Sequence, residues 1–282
     1  MQLALHLLNG LVWGLTLALM ALGLDLIYGV LGIINVAHGA LYMLGAVLGW
    51  SLARMGGFWL ALAIAPILVG GLGLLIERAV LRPVEGRPVM TIIATFGLLL
   101  LIQHGTLFTF GGAPRPLPEP LRFDLSFMGL HYPGYRLFVA LVSLLALGGL
   151  WLLLHRTRLG LYLRATAQSR ELALSLGIPV PLVYLATVGL GAALAALAGV
   201  LTAPIVSVSY RMGDEILVAA FIVVVVGGLG SLKGSMIAAI SLGLIEGLLA
   251  LVAPPLIARV LALAAMGSLL IVRPQGLFGR GG

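Results

Sequence analysis

The sequence contains no cysteine, and Lys233 is the single lysine among its sixteen basic residues. Without thiols, disulfides and thiolate metal sites are excluded. Charged residues make up only 9% of the 282 residues and hydrophobic residues 61%, whereas soluble domains are typically about 25% charged and about 45–50% apolar. Because so few charges cannot coat a soluble protein of this length, the composition predicts a protein whose outer surface lies in lipid.

Motifs of self-contained catalysis are also missing. No G-x-x-x-x-G-K-[ST] phosphate-binding loop occurs, since Lys233 follows Leu232, so any ATP must be hydrolysed by a partner. There is no H-E-x-x-H or G-x-S-x-G motif. The five histidines lack metal-ligand spacing, and Asp25, Asp124 and Asp214 do not cluster as carboxylates that bind Mg²⁺ would. We therefore expect that the chain is not an enzyme and binds no cofactor or metal.

Long apolar runs dominate what is present. A membrane-spanning helix needs about 20 mostly apolar residues, so the runs predict an all-α polytopic membrane helix bundle of eight or nine transmembrane helices. No basic residue precedes Arg54, so the first run is expected to be a retained helix rather than a signal peptide. Residues 1–282 are expected to form a single transmembrane domain. The candidate spans are 4–27, 30–52, 58–76, 90–110, 136–154, 182–204, 215–232, 235–253 and 256–272.

Basic residues concentrate in 77–88, in 155–181, and in the C-terminal tail at Arg273 and Arg280. The positive-inside rule assigns all three stretches to the cytoplasm. With nine spans, the N-terminus is then external and the C-terminus cytoplasmic, and the proline-rich segment 111–135 becomes an ordered external loop. The net charge of +7 is explained by loops that orient helices and meet anionic lipids, so it does not imply nucleic acid.

Glycine is abundant, with 39 copies. Gly191, Ala195 and Gly199 recur every four residues, which places them on one helix face where another backbone can approach closely. Segments 29–45 and 227–243 share glycines at their first, fourth and last positions. They suggest an inverted repeat with broken helices, as in many transporters, and a chance alignment of common glycines is the alternative.

The basic stretch 155–181 predicts a short amphipathic helix between two spans. Residues 162–176 contain no proline or glycine and are mostly good helix formers, and Gly177 and Pro179 end the run. A helix that merely lies on the lipid headgroups is the alternative. The apolar face is expected to contain Leu161, Ala165, Leu172 and Leu176, and the polar face Arg164, Gln168 and Glu171.

Within this helix, the run Glu171-Leu172-Ala173-Leu174-Ser175-Leu176-Gly177 resembles the E-A-A-x-x-x-G coupling loop of permease subunits in ATP-binding-cassette importers. The I-x-L-P ending of the longer form is absent, which indicates a variant group. By this resemblance the loop forms a rigid helix that docks into a cleft of an ATPase subunit and transmits domain closure as a push. The coupling residues so implied are Arg164, Gln168, Arg170, Glu171, Ala173 and Gly177.

Seven separated stretches follow one another along the chain in an order that is typical of one family. They are Gly23-Leu-Asp-Leu-Ile-Tyr-Gly29, Gly32-Ile-Ile-Asn-Val-Ala-His-Gly39, Tyr42-Met-Leu-Gly-Ala46, 164–178, 221–234, Gly243-Leu-Ile-Glu246 and Arg273-Pro-Gln-Gly-Leu-Phe278. In these stretches the chain resembles, over residues 9–278, the LivH-type permease subunits of branched-chain amino acid importers. The resemblance implies an importer in the bacterial inner membrane with two permease subunits, two cytoplasmic ATPase subunits that bind ATP and Mg²⁺, and an external binding protein. It leaves a homodimer or a similar heterodimeric partner open, and related importers of urea and short amides leave the cargo open.

Polar residues inside the predicted spans are candidates for a translocation path, because unpaired polar groups in hydrocarbon are costly. Asn35 and His38 are three residues apart and are expected on one helix face, which Gly39 then loosens. With Tyr42 and Glu246 they form the predicted path, and a neutral histidine and an amide suit the passage of a zwitterion. Hydrogen bonds that only fix helix packing are the alternative.

Carboxylates in the apolar runs offer a different function. Asp25 is expected between the first two spans and Glu246 mid-span, where unpaired carboxylates would be protonated. A proton relay there would make the chain a secondary transporter or channel that works alone, whereas a hydrogen bond to a neighbouring helix is the simpler explanation. Further polar residues are expected at external span ends. Gln103 and His104 are expected to face either a binding protein or water, and Arg211, Asp214 and Glu215 either to pair locally or to dock the binding protein.

Overall fold

The computed structural model describes residues 2–127, 130–273 and 275–278, so Arg280 lies outside the described residues. Within them, the chain forms eleven α-helices and one two-stranded hairpin. The helices are α1 (Gln2–Leu31), α2 (His38–Gly56), α3 (Phe58–Ile76), α4 (Pro88–Phe110), α5 (Gly134–Arg156), α6 (Arg158–Gln168), α7 (Arg170–Ser175), α8 (Val180–Thr202), α9 (Met212–Gly227), α10 (Leu232–Leu249) and α11 (Pro255–Val272).

The nine predicted spans correspond in order to α1–α5 and α8–α11. Of the helices in the described residues, six are long and apolar enough to cross a membrane: α1, α3, α4, α5, α8 and α10. The second of these crossings continues past α3 through a π-helical and a 3₁₀ turn, over Phe58–Val84. The all-α membrane bundle is therefore confirmed, whereas a count of eight or nine complete crossings stays a prediction.

The bundle has two ends that differ in composition. The arginine-rich end contains the turn between α3 and α4, the helices α6 and α7, the turn between α9 and α10, and the described tail residues 273 and 275–278. Its parts are joined by contacts such as the Arg170–Glu85 ion pair of 2.8 Å and a hydrogen bond from the Leu277 amide to the Val226 carbonyl. The N-terminus lies at the opposite end.

That opposite end, the hairpin end, is built on the proline-rich segment 111–135. Strands β1 (Asp124–Phe127) and β2 (Leu130–Pro133) pair antiparallel there, an element that the sequence did not predict. Within the described residues of this segment, Arg115 also forms a bridge to Val208, in the stretch between α8 and α9.

Small residues allow the helix backbones to approach closely. A methyl group added at Gly10 of α1 would overlap the carbonyl oxygen of Gly243 in α10. Gly191 and Gly199 of α8 lie in the same way against Gly23 of α1 and the Tyr42 carbonyl of α2. These contacts confirm the predicted packing role of the α8 glycines. In lipid, close van der Waals packing of this kind stabilises the association of helices.

The helices α1–α3 and α8–α10 are arranged in opposite senses. Helices α1 and α8 cross the bundle in opposite directions and meet where Gly23 contacts Gly191, while α2 and α9 meet where Gly39 contacts Gly213. Helix α1 packs on α10, and α8 packs on α3. The described chain thus contains an inverted pair of three-helix units.

The glycine alignment of segments 29–45 and 227–243 was wrong as an account of this repeat. The first segment contains the end of α1 and the beginning of α2, whereas the second contains the end of α9, a surface turn and much of α10. Their shared glycines mark separate close contacts, such as that of Gly29 with Gly230. Glycine spacing therefore reports backbone approach rather than equivalent position in a repeat.

Candidate functional site

A non-helical segment turns back into the bundle between α1 and α2. Helix α1 ends at Leu31, yet His38 at the beginning of α2 places its Nε2 atom 3.2 Å from the carbonyl oxygen of Met20. Met20 lies about 16 Å from the end of α1, at 1.5 Å per residue. Residues 32–37, which we call the re-entrant segment, cover that depth, and the reversal begins at Gly32 with a φ of 68°.

Asn35 lies in the re-entrant segment rather than on a helix face with His38, so that prediction was wrong. The break precedes His38 instead of following it at Gly39. The Asn35 Oδ1 atom accepts a hydrogen bond from the Ala37 amide at 3.1 Å, and its carbonyl oxygen accepts one from the His38 amide at 3.3 Å. Asparagine competes in this way with helical hydrogen bonds, and here it organises the beginning of α2.

His38 and Asn35 are completely buried but retain polar atoms without partners among the described residues. A carbonyl oxygen can only accept, so His38 Nε2 donates to Met20, and Nδ1 of the neutral imidazole is left as a free acceptor. The Asn35 Nδ2 donor is also unpaired. Each unpaired buried group costs about 1–3 kcal/mol, so an acceptor and a donor are held at mid-depth at an energetic cost.

The surroundings of the re-entrant segment suit a polar solute. Thr95 of α4 accepts a hydrogen bond from the Val36 amide at 3.3 Å, while Ile34 remains 42% exposed, so one side of the segment is open. The first turns of α2 and α9 meet at Gly39 and Gly213. Helix N-termini carry partial positive charge, and the first turn of α9 also contains the carboxylates Asp214 and Glu215, so the meeting point of the two helices is polar.

Tyr42 and Glu246, the other residues of the predicted path, have partners. The Tyr42 hydroxyl lies 2.5 Å from the Thr202 hydroxyl, one turn beyond His38. Glu246 occupies the last turn of α10 rather than mid-span, and its Oε1 atom is 3.7 Å from Nε of Arg259. The structure therefore places Glu246 in an ion-pair cluster at the hairpin end and does not bring it to Asn35 and His38.

Asp25 lies inside α1 and is fully buried, not between two spans as expected. Its carboxylate accepts hydrogen bonds from the Gly230 amide at 2.7 Å and from the Ser235 hydroxyl at 2.9 Å. These bonds hold the turn between α9 and α10 against α1. The hydrogen-bonded alternative thus accounts for this carboxylate without a proton relay.

The polar residues expected at external span ends are paired locally. Gln103 of α4 donates to both carboxylate oxygens of Asp214, at 3.0 and 3.2 Å, and Arg211 lies 3.5 Å from the same carboxylate. Glu215 contacts Arg259 at 2.9 Å. His104 is exposed. These pairs join α4 and α11 to the beginning of α9.

The predicted continuous helix over 162–176 is wrong, because the chain forms α6 and α7 with a break at Ser169. Ser169 is extended, and its hydroxyl oxygen accepts a hydrogen bond from the Leu172 amide at 3.3 Å, which caps α7. Thr157 caps α6 in the same way through the Gly160 amide at 3.1 Å. Each helix is therefore fixed at its beginning by its own side-chain cap.

Gly177 ends α7 as the sequence predicted. Its φ is 74°, and its amide donates to the Leu174 carbonyl while the Ile178 amide donates to the Ala173 carbonyl, both at 3.0 Å. This pair of bonds is a Schellman motif. Helix α7 is thus capped at both ends, and both caps stabilise this six-residue helix.

The surface of α7 differs from the predicted amphipathic pattern. Ala173 faces the bundle, whereas Leu172, Leu174 and Leu176 are 66%, 50% and 78% exposed at the arginine-rich end. Arg170 pairs with Glu85 and so attaches α7 to the turn between α3 and α4. Clustered exposed leucines typically mark a contact with another protein or with a membrane. Of the other predicted coupling residues, Glu171 lies exposed on α7, and Arg164 and Gln168 lie exposed on α6.

A cluster of polar residues around Asn9 at the hairpin end was not predicted from the sequence. The Asn9 side-chain oxygen accepts hydrogen bonds from Tyr132, at 3.0 Å, and from Arg136. Burial raises the pKa of the Tyr132 phenol, against the opposing effect of Arg136. With Thr202 from α8, Asn9 and Arg136 line a cavity of about 110 Å³. Asn9 is a polar residue in an apolar run, so the reasoning applied to Asn35 would have found it.

Comparison with known proteins identifies the family. The profile described as branched-chain amino acid transport system / permease component matches residues 6–272. The chain is 32% identical to the high-affinity branched-chain amino acid transport system permease protein BraD of Pseudomonas aeruginosa, over 98% of this chain and 95% of that protein. It is 31% identical to the permease protein LivH of Escherichia coli K12, over 96% and 94% respectively.

A second Escherichia coli K12 permease protein of such a system, LivM, is 28% identical over 79% of this chain and 59% of that protein. No solved structure matches the chain. The full-length matches agree with the helical membrane bundle and with the ordered sequence motifs. The chain therefore belongs to the family of branched-chain amino acid transport system permease components.

Proposed function

We propose that this chain is the membrane-spanning permease subunit of an ATP-binding-cassette importer that carries leucine, isoleucine and valine. The observation that supports it most directly is α7, a short helix capped at both ends that exposes three leucines. Such a helix transmits a push without absorbing it. The names of the similar proteins, which describe branched-chain amino acid transport, support the cargo.

The arginine-rich end faces the cytoplasm of a bacterial cell and the hairpin end faces outward. Arg78, Arg82 and Arg87 lie in the turn between α3 and α4, where Arg82 lines the same cavity as Arg170 of α7. The positive-inside rule assigns such loops to the cytoplasm. The N-terminus is then external and the C-terminus cytoplasmic in the inner membrane.

The partners follow from these two faces. Two ATPase subunits that bind ATP and Mg²⁺ dock on the permeases, one on α7 of this chain and one on the corresponding helix of the second permease. An external binding protein presents the amino acid at the hairpin end. A second permease subunit completes the pathway. The similarity of the chain to LivM as well as to LivH supports a related, heterodimeric second permease.

Contacts within the chain connect α7 to the re-entrant segment. Arg170 of α7 holds Glu85, which lies three residues before the beginning of α4, and Thr95 of α4 holds the Val36 amide. Closure of the ATPase subunits moves α7, and this series of contacts moves α4 against the re-entrant segment. There His38 Nδ1 accepts a hydrogen bond from the ammonium group of the cargo, and Asn35 Nδ2 donates to its carboxylate.

The energy source is tested by reconstitution. We expect labelled leucine to enter proteoliposomes only when the permeases, ATPases, binding protein and lumenal ATP are all present. The chain alone, under a proton or sodium gradient, is expected to give no uptake because its carboxylates Asp25 and Glu246 are already paired. Gradient-driven uptake by the chain alone would establish the secondary transporter and exclude this proposal.

The cargo is tested on the external binding protein, which selects the solute first. Calorimetric titration is expected to give binding of leucine, isoleucine and valine, and none of urea or acetamide. Preference for urea or an amide would keep the transporter class but reject the amino acid assignment.

His38→Gln is expected to lower the maximal uptake rate about tenfold, the effect of one lost hydrogen bond of about 1.4 kcal/mol. The glutamine amide can still donate toward the Met20 carbonyl, but the free acceptor at Nδ1 is lost. Uptake of labelled leucine and the melting temperature are measured together. An unchanged uptake rate in a stable variant would mean that Nδ1 does not contact the cargo.

A further inference from the structure

A cavity of about 190 Å³ lies behind α7, between that helix, the beginning of α8 and the turn joining α3 to α4. One water needs only about 10–15 Å³ of such space, so a small organic molecule fits. The wall combines charged and apolar groups. It is lined by Glu77, Arg82, Glu85, Arg170, Leu174, Val180, Pro181 and Tyr184.

Glu77 is the unusual group in this wall. Its side chain is 1% exposed, and its Oε2 atom has no hydrogen-bond partner among the described residues. A buried carboxylate oxygen of this kind is expensive unless a donor reaches it. The other carboxylate of the wall, Glu85, is already paired with Arg170. Glu77 is therefore the carboxylate of this wall that lacks a hydrogen-bond donor among the described residues.

Arg82 offers the complementary group, a charged hydrogen-bond donor. Among the ion pairs of the described residues, none includes Arg82. Its charge acts on Glu77 across the cavity, and its guanidinium has the two-pronged geometry that binds a carboxylate. Leu174, Val180 and Pro181 add an apolar wall. The cavity thus offers an acceptor for an ammonium group, a donor for a carboxylate and a contact for an aliphatic side chain.

We propose that this cavity binds a free α-amino acid with an aliphatic side chain, and that the bound molecule restrains α7. The ammonium group binds Glu77, the carboxylate binds Arg82, and the side chain packs on Leu174. Such a ligand joins α7 and the turn between α3 and α4 to the beginning of α8, where Val180 and Pro181 line the cavity, and so opposes the movement of α7 and α4 that the ATPases drive. This inference rests on the proposed function, in which this end is cytoplasmic and α7 couples to the ATPases. Cargo that accumulates in the cytoplasm then binds this site and inhibits its own import.

The experiment uses proteoliposomes of the complete transporter with ATP and millimolar leucine in the lumen. Initial uptake of labelled leucine is expected to fall at least threefold relative to vesicles without lumenal leucine. Isoamylamine, which lacks the carboxylate, and isocaproate, which lacks the ammonium group, are expected to have no effect. Glu77→Gln and Arg82→Gln are expected to transport normally and to lose the inhibition, while Arg78→Gln, a neighbour that does not line the cavity, keeps it.

Binding of leucine to the purified chain, followed by calorimetry, tests the site independently of transport. Binding by the wild-type chain that is lost in Glu77→Gln and in Arg82→Gln supports the proposal, even in a transporter that proves not to be ATP-driven. Uptake insensitive to lumenal leucine, together with no binding, overturns the site and leaves the proposed function intact. The site is also excluded if isoamylamine, without a carboxylate, inhibits uptake. It is excluded as well if leucine inhibits the Glu77→Gln and Arg82→Gln variants as strongly as the wild type.

Discussion

Gly199→Ala is expected to lower the melting temperature of the purified protein by about 10 °C. The added methyl group would overlap the Tyr42 carbonyl oxygen and lie 2.9 Å from the Ala46 amide nitrogen. These are backbone atoms of α2, so no side-chain rotation relieves the overlap, and α2 must move away from α8. Overpacking of this kind costs about 1–3 kcal/mol or more, and each kcal/mol shifts the melting temperature by about 2–4 °C for a chain of this size.

Gly148→Ala is the matched control for this change. Gly148 lies within α5, and a methyl group there meets no atom within 4 Å. Because alanine favours the helix over glycine by up to about 1 kcal/mol, this variant is expected to melt at or slightly above the wild-type temperature. Thermal scans of both variants in the same detergent measure the two melting temperatures. Equal melting temperatures for the two would show that α2 and α8 are not packed backbone to backbone.

Helix locations could be predicted well from the sequence because the length of an apolar run reports directly on the lipid environment. The span predicted over 58–76 is α3, and the one predicted over 90–110 differs from α4 by two residues at its beginning. In a bilayer, every backbone polar group must be satisfied within the segment, so a long apolar run has few alternatives to a helix.

The breaks could not be located in this way, because they depend on which side chain captures a backbone donor. Asn35 and Ser169 both lie in runs without proline, yet each accepts a hydrogen bond from an amide two or three residues later. Propensity treats these residues as mildly unfavourable in helices, whereas their local hydrogen bonds fix non-helical conformations. The two predicted functional segments therefore contain the two errors in helix continuity.

Pairing between distant residues was beyond the sequence for a different reason. Glu246 appeared isolated in an apolar run, and the charge that it meets, Arg259, lies on the following helix. Glu77 and Arg82 appeared as ordinary loop charges, and only the packing of α7 and α8 encloses them around a cavity. Charge spacing along a chain does not specify these contacts, since they are set by how the helices cross.

Replacing Leu172, Leu174 and Leu176 together by aspartate is expected to reduce ATP-driven uptake and stimulated ATPase activity more than tenfold. Docked leucines gain about 1.5–3 kcal/mol each when buried, and carboxylates in an apolar cleft cost several kcal/mol. The three side chains are at least half exposed in the chain itself, so the fold and its melting temperature are expected to remain unchanged. Uptake and ATPase rates are measured in proteoliposomes, and the amount of ATPase retained on the purified permease is measured alongside them.

Leu161→Asp separates loss of docking from the mere addition of charge at this end. Leu161 is 54% exposed on α6, close to α7 along the chain but outside it, and this variant is expected to transport as the wild type does. Loss of transport in both variants would point to a general disturbance of the arginine-rich end. If the α7 triple variant binds ATPase and transports normally, α7 is not the coupling helix, and the push from the ATPases must enter the bundle elsewhere.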